Sequence, residues 1–169
     1  MRSYLFTALF SITLFSSFTL KKNEQQNVIY NRKIQTEINR DSIIEYAKKY
    51  LDTPYKYAGS DPKKGFDCSG FVSYVFKNFG KTLPRSSGSY KNLGTALKPE
   101  DFKVGDILVF YGYKDRTVIG HLGIICEANG MQSKFIHASS GKAQKVTITA
   151  LDTEHYTKRF YKCIDVLSE

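Results

Sequence analysis

Gly65-Phe66-Asp67-Cys68-Ser69-Gly70-Phe71-Val72, running on through Val75, Phe76 and Phe79 to Gly80, decides how this chain is read. The apolar residues at 71, 72, 75, 76 and 79 recur on one face of a 3.6-residue repeat, which predicts a helix from about Cys68 to Phe79. Gly80 is its natural stop, because glycine adopts the left-handed conformation that ends helices. Nearly all of the helix's bulk is apolar, so it should be a core helix packed on a sheet. Asp67 and Ser69 supply capping chemistry around Cys68, which places the thiol at the helix N-terminus. Unpaired N–H groups and the helix dipole favour the thiolate there, and they can also hold an oxyanion. The small Ser69 and Gly70 leave room beside the sulfur.

On the N-terminal side, Ser42-Ile43-Ile44-Glu45 fits a capping box, and Ile43, Ala47, Tyr50 and Leu51 follow helical spacing until Pro54. Residues 55–65 read as a loop containing Gly59, Pro62 and Gly65. On the C-terminal side, Leu83-Pro84-Arg85-Ser86-Ser87 leads into a short helical or irregular stretch ending at Leu97. The character then changes to strands, expected at 106–112, 121–127, 134–139, 145–148 and 160–167, with a solvated loop at 113–119. Helices first and strands after predict an α+β fold with N-terminal helices packed on an antiparallel β-sheet.

A cysteine hydrolase needs a thiolate, a base and a group that orients the base. Two of the three histidines lie in apolar strand-like runs, Gly120-His121-Leu122-Gly123-Ile124 and Phe135-Ile136-His137-Ala138-Ser139. They share sequence parity, which keeps both rings on one face of an antiparallel pair that carries no odd bulge. His155, among Thr153, Glu154 and Tyr156, reads as a surface residue. The long spacings between Cys68, His121 and His137, with no acidic neighbour to the histidines, argue against a metal site. No metal and no cofactor are expected.

The chain of 169 residues with 41% hydrophobic content suits one domain with a real core, and its formal charge of +9 fits an anionic partner. Arg2, an apolar run from Tyr4 to Phe15 and the small residues Ser16 and Ser17 read as a secretory signal or an uncleaved membrane anchor over residues 1–20. Residues 21–40 read as a polar linker or as a loosely docked segment. The folded domain then occupies 41–169. Either reading of the N-terminus exports the domain, periplasmic, envelope-associated or secreted, and so excludes a nucleic-acid role. The three cysteines are an odd number for an oxidising compartment. Cys126 and Cys163 read first as buried strand residues, and spacing does not decide whether they pair; Cys68 is the leftover thiol on either reading.

The runs Asp67-Cys68-Ser69-Gly70-Phe71-Val72, Val104-Gly105-Asp106-Ile107-Leu108-Val109-Phe110, Gly120-His121-Leu122-Gly123-Ile124 and Ile136-His137-Ala138-Ser139 resemble the NlpC family of papain-like cell-wall endopeptidases. The likeness covers about residues 41–166, with Tyr55 and Leu83-Pro84-Arg85-Ser86 also in place. It implies a papain-like cysteine peptidase fold with Cys68 as nucleophile, His121 as base and His137 as orienting group. It implies a peptidoglycan hydrolase cutting stem-peptide amide bonds, usually between D-glutamate and diaminopimelate or lysine. Tyr55, Asp67, Ser69, Arg85 and Ser86 match substrate-contacting positions, although Arg85 also reads as a residue that holds its loop in place. The expected partner is peptidoglycan stem peptide, met by a monomeric catalytic domain with or without a membrane tether through its N-terminus. Two departures stand out: extra residues at Met131-Gln132-Ser133-Lys134 between the histidine strands, and no separate wall-binding module. The rival readings are a CHAP-like peptidoglycan amidase and a catalytically silent wall-binding domain.

Overall fold

The computed structural model describes Gln26 and residues 39–168, so the expected signal or anchor and most of the linker lie outside the described residues. The first helix, α1 (Arg40–Lys48), is capped by Asn39, whose side chain accepts from the N–H groups of Asp41 and Ser42. This corrects the capping box expected at Ser42. Asn39 offers the same capping chemistry three residues earlier and already bonds the Ser42 amide. The helix also stops at Lys48, well before Pro54. Ile43, Ile44 and Ala47 are buried, whereas Leu51 is exposed. Arg40 anchors α1 to one end of the sheet, donating to Asp106 at 2.7 Å and pairing with Asp165 at 2.5 Å.

The segment expected as a plain loop contains a small hairpin, β1 (Ser60–Asp61) and β2 (Gly65–Phe66). Strands of two residues leave no period-2 signature in a sequence. The core helix α2 (Cys68–Lys77) follows, capped by Asp67 through the Gly70 amide and closed at Gly80, where φ is 77°. The Lys81 N–H bonds the Phe76 carbonyl at 3.1 Å, the wide turn that ends helices on a left-handed residue. Two short 3₁₀ turns, Ser87–Lys91 and Pro99–Asp101, lead to the sheet.

Five antiparallel strands form that sheet: β3 (Ile107–Tyr111), β4 (Ile119–Glu127), β5 (Lys134–Ala138), β6 (Val146–Ala150) and β7 (Phe160–Ile164). A single helical turn, α3 (Glu154–Thr157), sits between the last two. Their spatial order is β6-β5-β4-β3-β7. The architecture is the expected α+β arrangement, with α2 lying against β4 and β5. One face of the sheet packs Leu108, Phe110, Ile125, Phe135 and Cys163 with Phe102, Leu151 and Tyr156. Ile107, Val109, Leu122, Ile124 and Ile136 alternate with them and are equally buried. Cys126 and Cys163 are both buried free thiols, so they do not form a disulfide.

The residues between the histidine strands form a loop over 128–133 rather than longer strands. Ser133 closes it, its Oγ accepting from the Asn129 N–H at 2.8 Å and donating to the Gly130 carbonyl at 2.7 Å.

Candidate active site

The register of β4 on β5 decides where the two histidines point. Next to the connecting loop Glu127 faces Lys134, but further along Ile125 faces Phe135 and Ile124 faces Ile136. Carried on without change, the first register would set Gly123 opposite Ala138 and turn His137 to the other face. The one-residue shift at Cys126 sets Gly123 opposite His137 instead and brings His121 and His137 onto one face. The sequence expectation had required the absence of an odd bulge, so its condition is corrected. Gly123 is part of the same solution: a Cβ there would stand 2.3 Å from the Phe135 ring and 3.3 Å from the His137 Cβ.

The result is a buried relay. His121 Nε2 and His137 Nδ1 are 2.9 Å apart, and His137 Nε2 is 3.0 Å from Thr149 Oγ1 on β6. Phe110, Phe135 and Tyr156 pack around the rings in tilted and edge-on contacts. His121 is 6% exposed and His137 fully buried. Burial holds the His121 imidazole well below its usual value, helped by His137, Arg159 and His155. Burial, then Arg159 and His155, lowers His137 to about 3. Both rings are therefore neutral at pH 7. Thr149 was missed by the sequence reading, since a threonine on a strand carries no signal beyond β propensity.

Cys68 is the first residue of α2 and is 8% exposed. Its Sγ makes its hydrogen-bond contact with the Gly120 carbonyl at 4.0 Å, on the residue that precedes His121, rather than with the imidazole itself. Catalytic hydrogen bonds are often long before substrate is bound. The thiol is pushed up to about 11, by burial first and by the Asp67 charge second, while the amides of Leu122, Ser69 and Cys68 face the sulfur and pull the other way. This corrects the expectation that the helix start would favour a free thiolate: desolvation outweighs the amides.

Cys68 shares a cavity of about 410 Å³ with Tyr55, Asp67, Ser69, Arg85 and Ser86. Asp67 is fully engaged, accepting from the Gly70 amide at 2.7 Å, from Ser69 Oγ and from both Nη atoms of Arg85. Arg85 also donates to the Gly59 carbonyl at 3.1 Å. That clamp pins residues 54–66 across the helix start. A Cβ at Gly70 would stand 2.0 Å from the Gly59 oxygen, so only glycine lets the loop approach this closely. Tyr90, fully buried on the 3₁₀ turn after Ser86, has no partner for its hydroxyl among the described residues.

A second cavity of about 630 Å³ adjoins the first at Gly120 and is lined by His121, Ser139, Lys142, His155, Tyr156 and Arg159 among others. Cys68 thus lines the first cavity and His121 the second, with Gly120 common to both. A metal would find few free donors here, because the two histidines bond each other and Thr149.

The model of the NlpC/P60 family matches residues 52–165. The chain is 37% identical over 118 residues to gamma-DL-glutamyl hydrolase of Bacillus subtilis, an alignment covering 69% of this chain and 27% of that protein. It is 30% identical over 154 residues to murein DD-endopeptidase MepS/murein LD-carboxypeptidase of Escherichia coli, covering 90% of this chain and 74% of that one. The chain therefore spans about a quarter of the first of these curated relatives and about three quarters of the second. Among solved structures, an NlpC/P60 family protein of Bacillus cereus superposes with a TM-score of 0.68 at 28% identity, over 78% of this chain and 41% of that one. The NlpC/p60 domain of peptidoglycan hydrolase SagA superposes with a TM-score of 0.60 at 28% identity, over 76% of this chain and 100% of that one.

Proposed function

This chain belongs to the NlpC/P60 family and shares its papain-like α+β fold, and from that premise we propose that it is a peptidoglycan hydrolase cleaving stem-peptide amide bonds through Cys68, His121 and His137. The observation that carries the reading is the His121–His137 bond of 2.9 Å on the strand whose Gly120 touches Cys68 Sγ. With His121 Nε2 occupied by His137, only Nδ1 is left to take a proton. The tautomers follow: His121 Nε2–H donates to His137 Nδ1, and His137 Nε2–H donates to Thr149 Oγ1.

The resting pair is a neutral thiol and a neutral imidazole, so the proton moves as the bond forms. His121 Nδ1 takes the thiol proton while Sγ attacks the amide carbon. Amides at the start of α2 face the developing charge. His121 then returns its proton to the leaving amine, the C–N bond breaks, and an acyl thioester remains on Cys68. Water, deprotonated by the same nitrogen, releases the acid and restores the thiol. His137 holds the ring in place and delocalises the imidazolium through its bond to Nε2.

Tyr55 and Ser86 are assigned to hold the acyl side of the substrate. Asp67, Ser69 and Arg85 form the rigid wall beside them, because their polar atoms are already paired to one another. Export and a membrane tether belong to residues 1–20, with the linker at 21–40, and rest on the sequence alone. The test is mass spectrometry of muropeptides and free stem peptides incubated with the chain beside Cys68→Ala. Cleavage between D-glutamate and diaminopimelate or lysine by the unmodified chain alone is the expected result. Cleavage at the sugar–peptide amide would make it an amidase instead. No product from the folded, reduced chain would leave a wall-binding domain.

A further inference from the structure

The cavity of about 630 Å³ beside His121 contains a charge that no carboxylate among the described residues balances. Arg159 is 7% exposed, and its Nε donates to the Tyr111 carbonyl at 2.9 Å while Nη1 meets His155 Nε2 at 2.7 Å. Nη2 makes no hydrogen bond among the described residues. No carboxylate there lies within ion-pair distance of this guanidinium. The ionisable groups that act on it are Tyr156, Cys68, Arg116 and Tyr113, with no carboxylate among them. The cavity adds a second cation, the exposed Lys142, and its lining includes no Asp or Glu. A buried cation without a counter-ion is costly, and a ligand carboxylate removes that cost.

The chemistry fixes which part of a substrate reaches this cavity. The departing amine takes its proton from the imidazole, so the residue bearing that amine lies on the His121 side. We propose that this cavity is the leaving-residue subsite, in which Arg159, assisted by Lys142, binds a carboxylate carried by the residue whose amine is released. The inference rests on the hydrolase reading above. In stem-peptide terms it selects diaminopimelate, whose side chain ends in a carboxylate beside its ammonium, over lysine, whose ammonium alone would meet two cations. Arginine offers a planar two-pronged donor for such a group.

The test is steady-state kinetics of the 169-residue chain on L-Ala-γ-D-Glu-X-D-Ala, with X as diaminopimelate, its side-chain amide or lysine. The expected KM for the free acid is roughly 10- to 100-fold below that for the amide, the range of one charge-assisted hydrogen-bonded contact, with similar kcat. Arg159→Met should raise KM for the acid more than for the amide, bringing the ratio of the two toward one, and Arg159→Lys should restore part of the ratio. Should the Arg159 variants not fold, Lys142→Gln, at an exposed position, should still narrow the gap. Equal KM for acid and amide in the unmodified chain would overturn the subsite. Failure of all three substrates would instead count against the hydrolase reading. In that event, titrating Cys68→Ala with diaminopimelyl-D-alanine and with its amide, followed at the Arg159 Nε–H resonance, decides the subsite separately. A shift with the acid alone supports it, and no shift with either overturns it.

Discussion

Acid should destabilise this protein through its histidine pair, to an extent that one substitution isolates. Burial, with Arg159 and His155 adding like charge, holds His137 near 3 against an ordinary 6.5. His121 is held well below 6.5 by burial and by His137 beside it. The unfolded chain takes up a proton at each ring as the pH falls through 6.5, whereas the folded protein does not. Stability from these groups is therefore complete above pH 6.5 and is lost as the pH falls toward 3. Each pKa unit corresponds to about 1.4 kcal/mol, so His137 alone withdraws about 3 kcal/mol by pH 4.5 and roughly 4 kcal/mol by pH 3. Against a total stability of roughly 5–15 kcal/mol, that is a large fraction. The assay is urea denaturation at half-unit steps from pH 4 to 7, for the unmodified chain and for His137→Asn. Carboxylates contribute to both curves alike and drop out of the difference. The variant should show a slope shallower by about 1 kcal/mol per pH unit between 4.5 and 6.5. Parallel curves would mean that His137 is protonated in the folded protein and that the tautomers assigned to the relay are wrong.

Three further outcomes follow from the geometry. Thr149→Val leaves His137 Nε2 without its partner at 3.0 Å and should cost about 1–3 kcal/mol, with a fall in kcat larger than any change in KM, measured by denaturation and stem-peptide turnover. Gly123→Ala forces a Cβ to 2.3 Å from the Phe135 ring, so it should cost about 1–3 kcal/mol and displace His137, visible as changed imidazole resonances. Arg40→Met strands the fully buried Asp106 carboxylate and should cost about 3–5 kcal/mol in chemical denaturation, while a second change at Asp106 to Asn should recover part of it.

Helix α2 was legible because local chemistry and burial agree there: Asp67 caps it, an apolar stripe faces the sheet, and Gly80 ends it. Helix α1 was misread at its start because Asn39 and Ser42 are equally good capping residues and only the tertiary anchor at Arg40 separates them. The strands were legible from their apolar runs, but not the shift at Cys126, which no residue type announces. The pairing of His121 with His137 was therefore expected on a condition that the structure replaces. The place of Cys68 at the start of α2 was legible in the sequence, whereas its protonation was not, because the depth of burial that raises the thiol is a property of the packed loop above it. Thr149 and Arg159 could not be read at all. A threonine on a strand and an arginine before a strand look like surface residues until the fold buries them beside the rings.

The account's central claim is that Cys68 attacks the stem-peptide amide and carries the acyl group as a thioester. Rapid acid quenching during turnover of L-Ala-γ-D-Glu-diaminopimelate peptides, followed by peptide mapping, tests it most directly. The account predicts a mass increase corresponding to the L-Ala-γ-D-Glu acyl group on the fragment containing Cys68, absent in Cys68→Ala. Turnover with the adduct elsewhere, or undiminished turnover in Cys68→Ala, would contradict it.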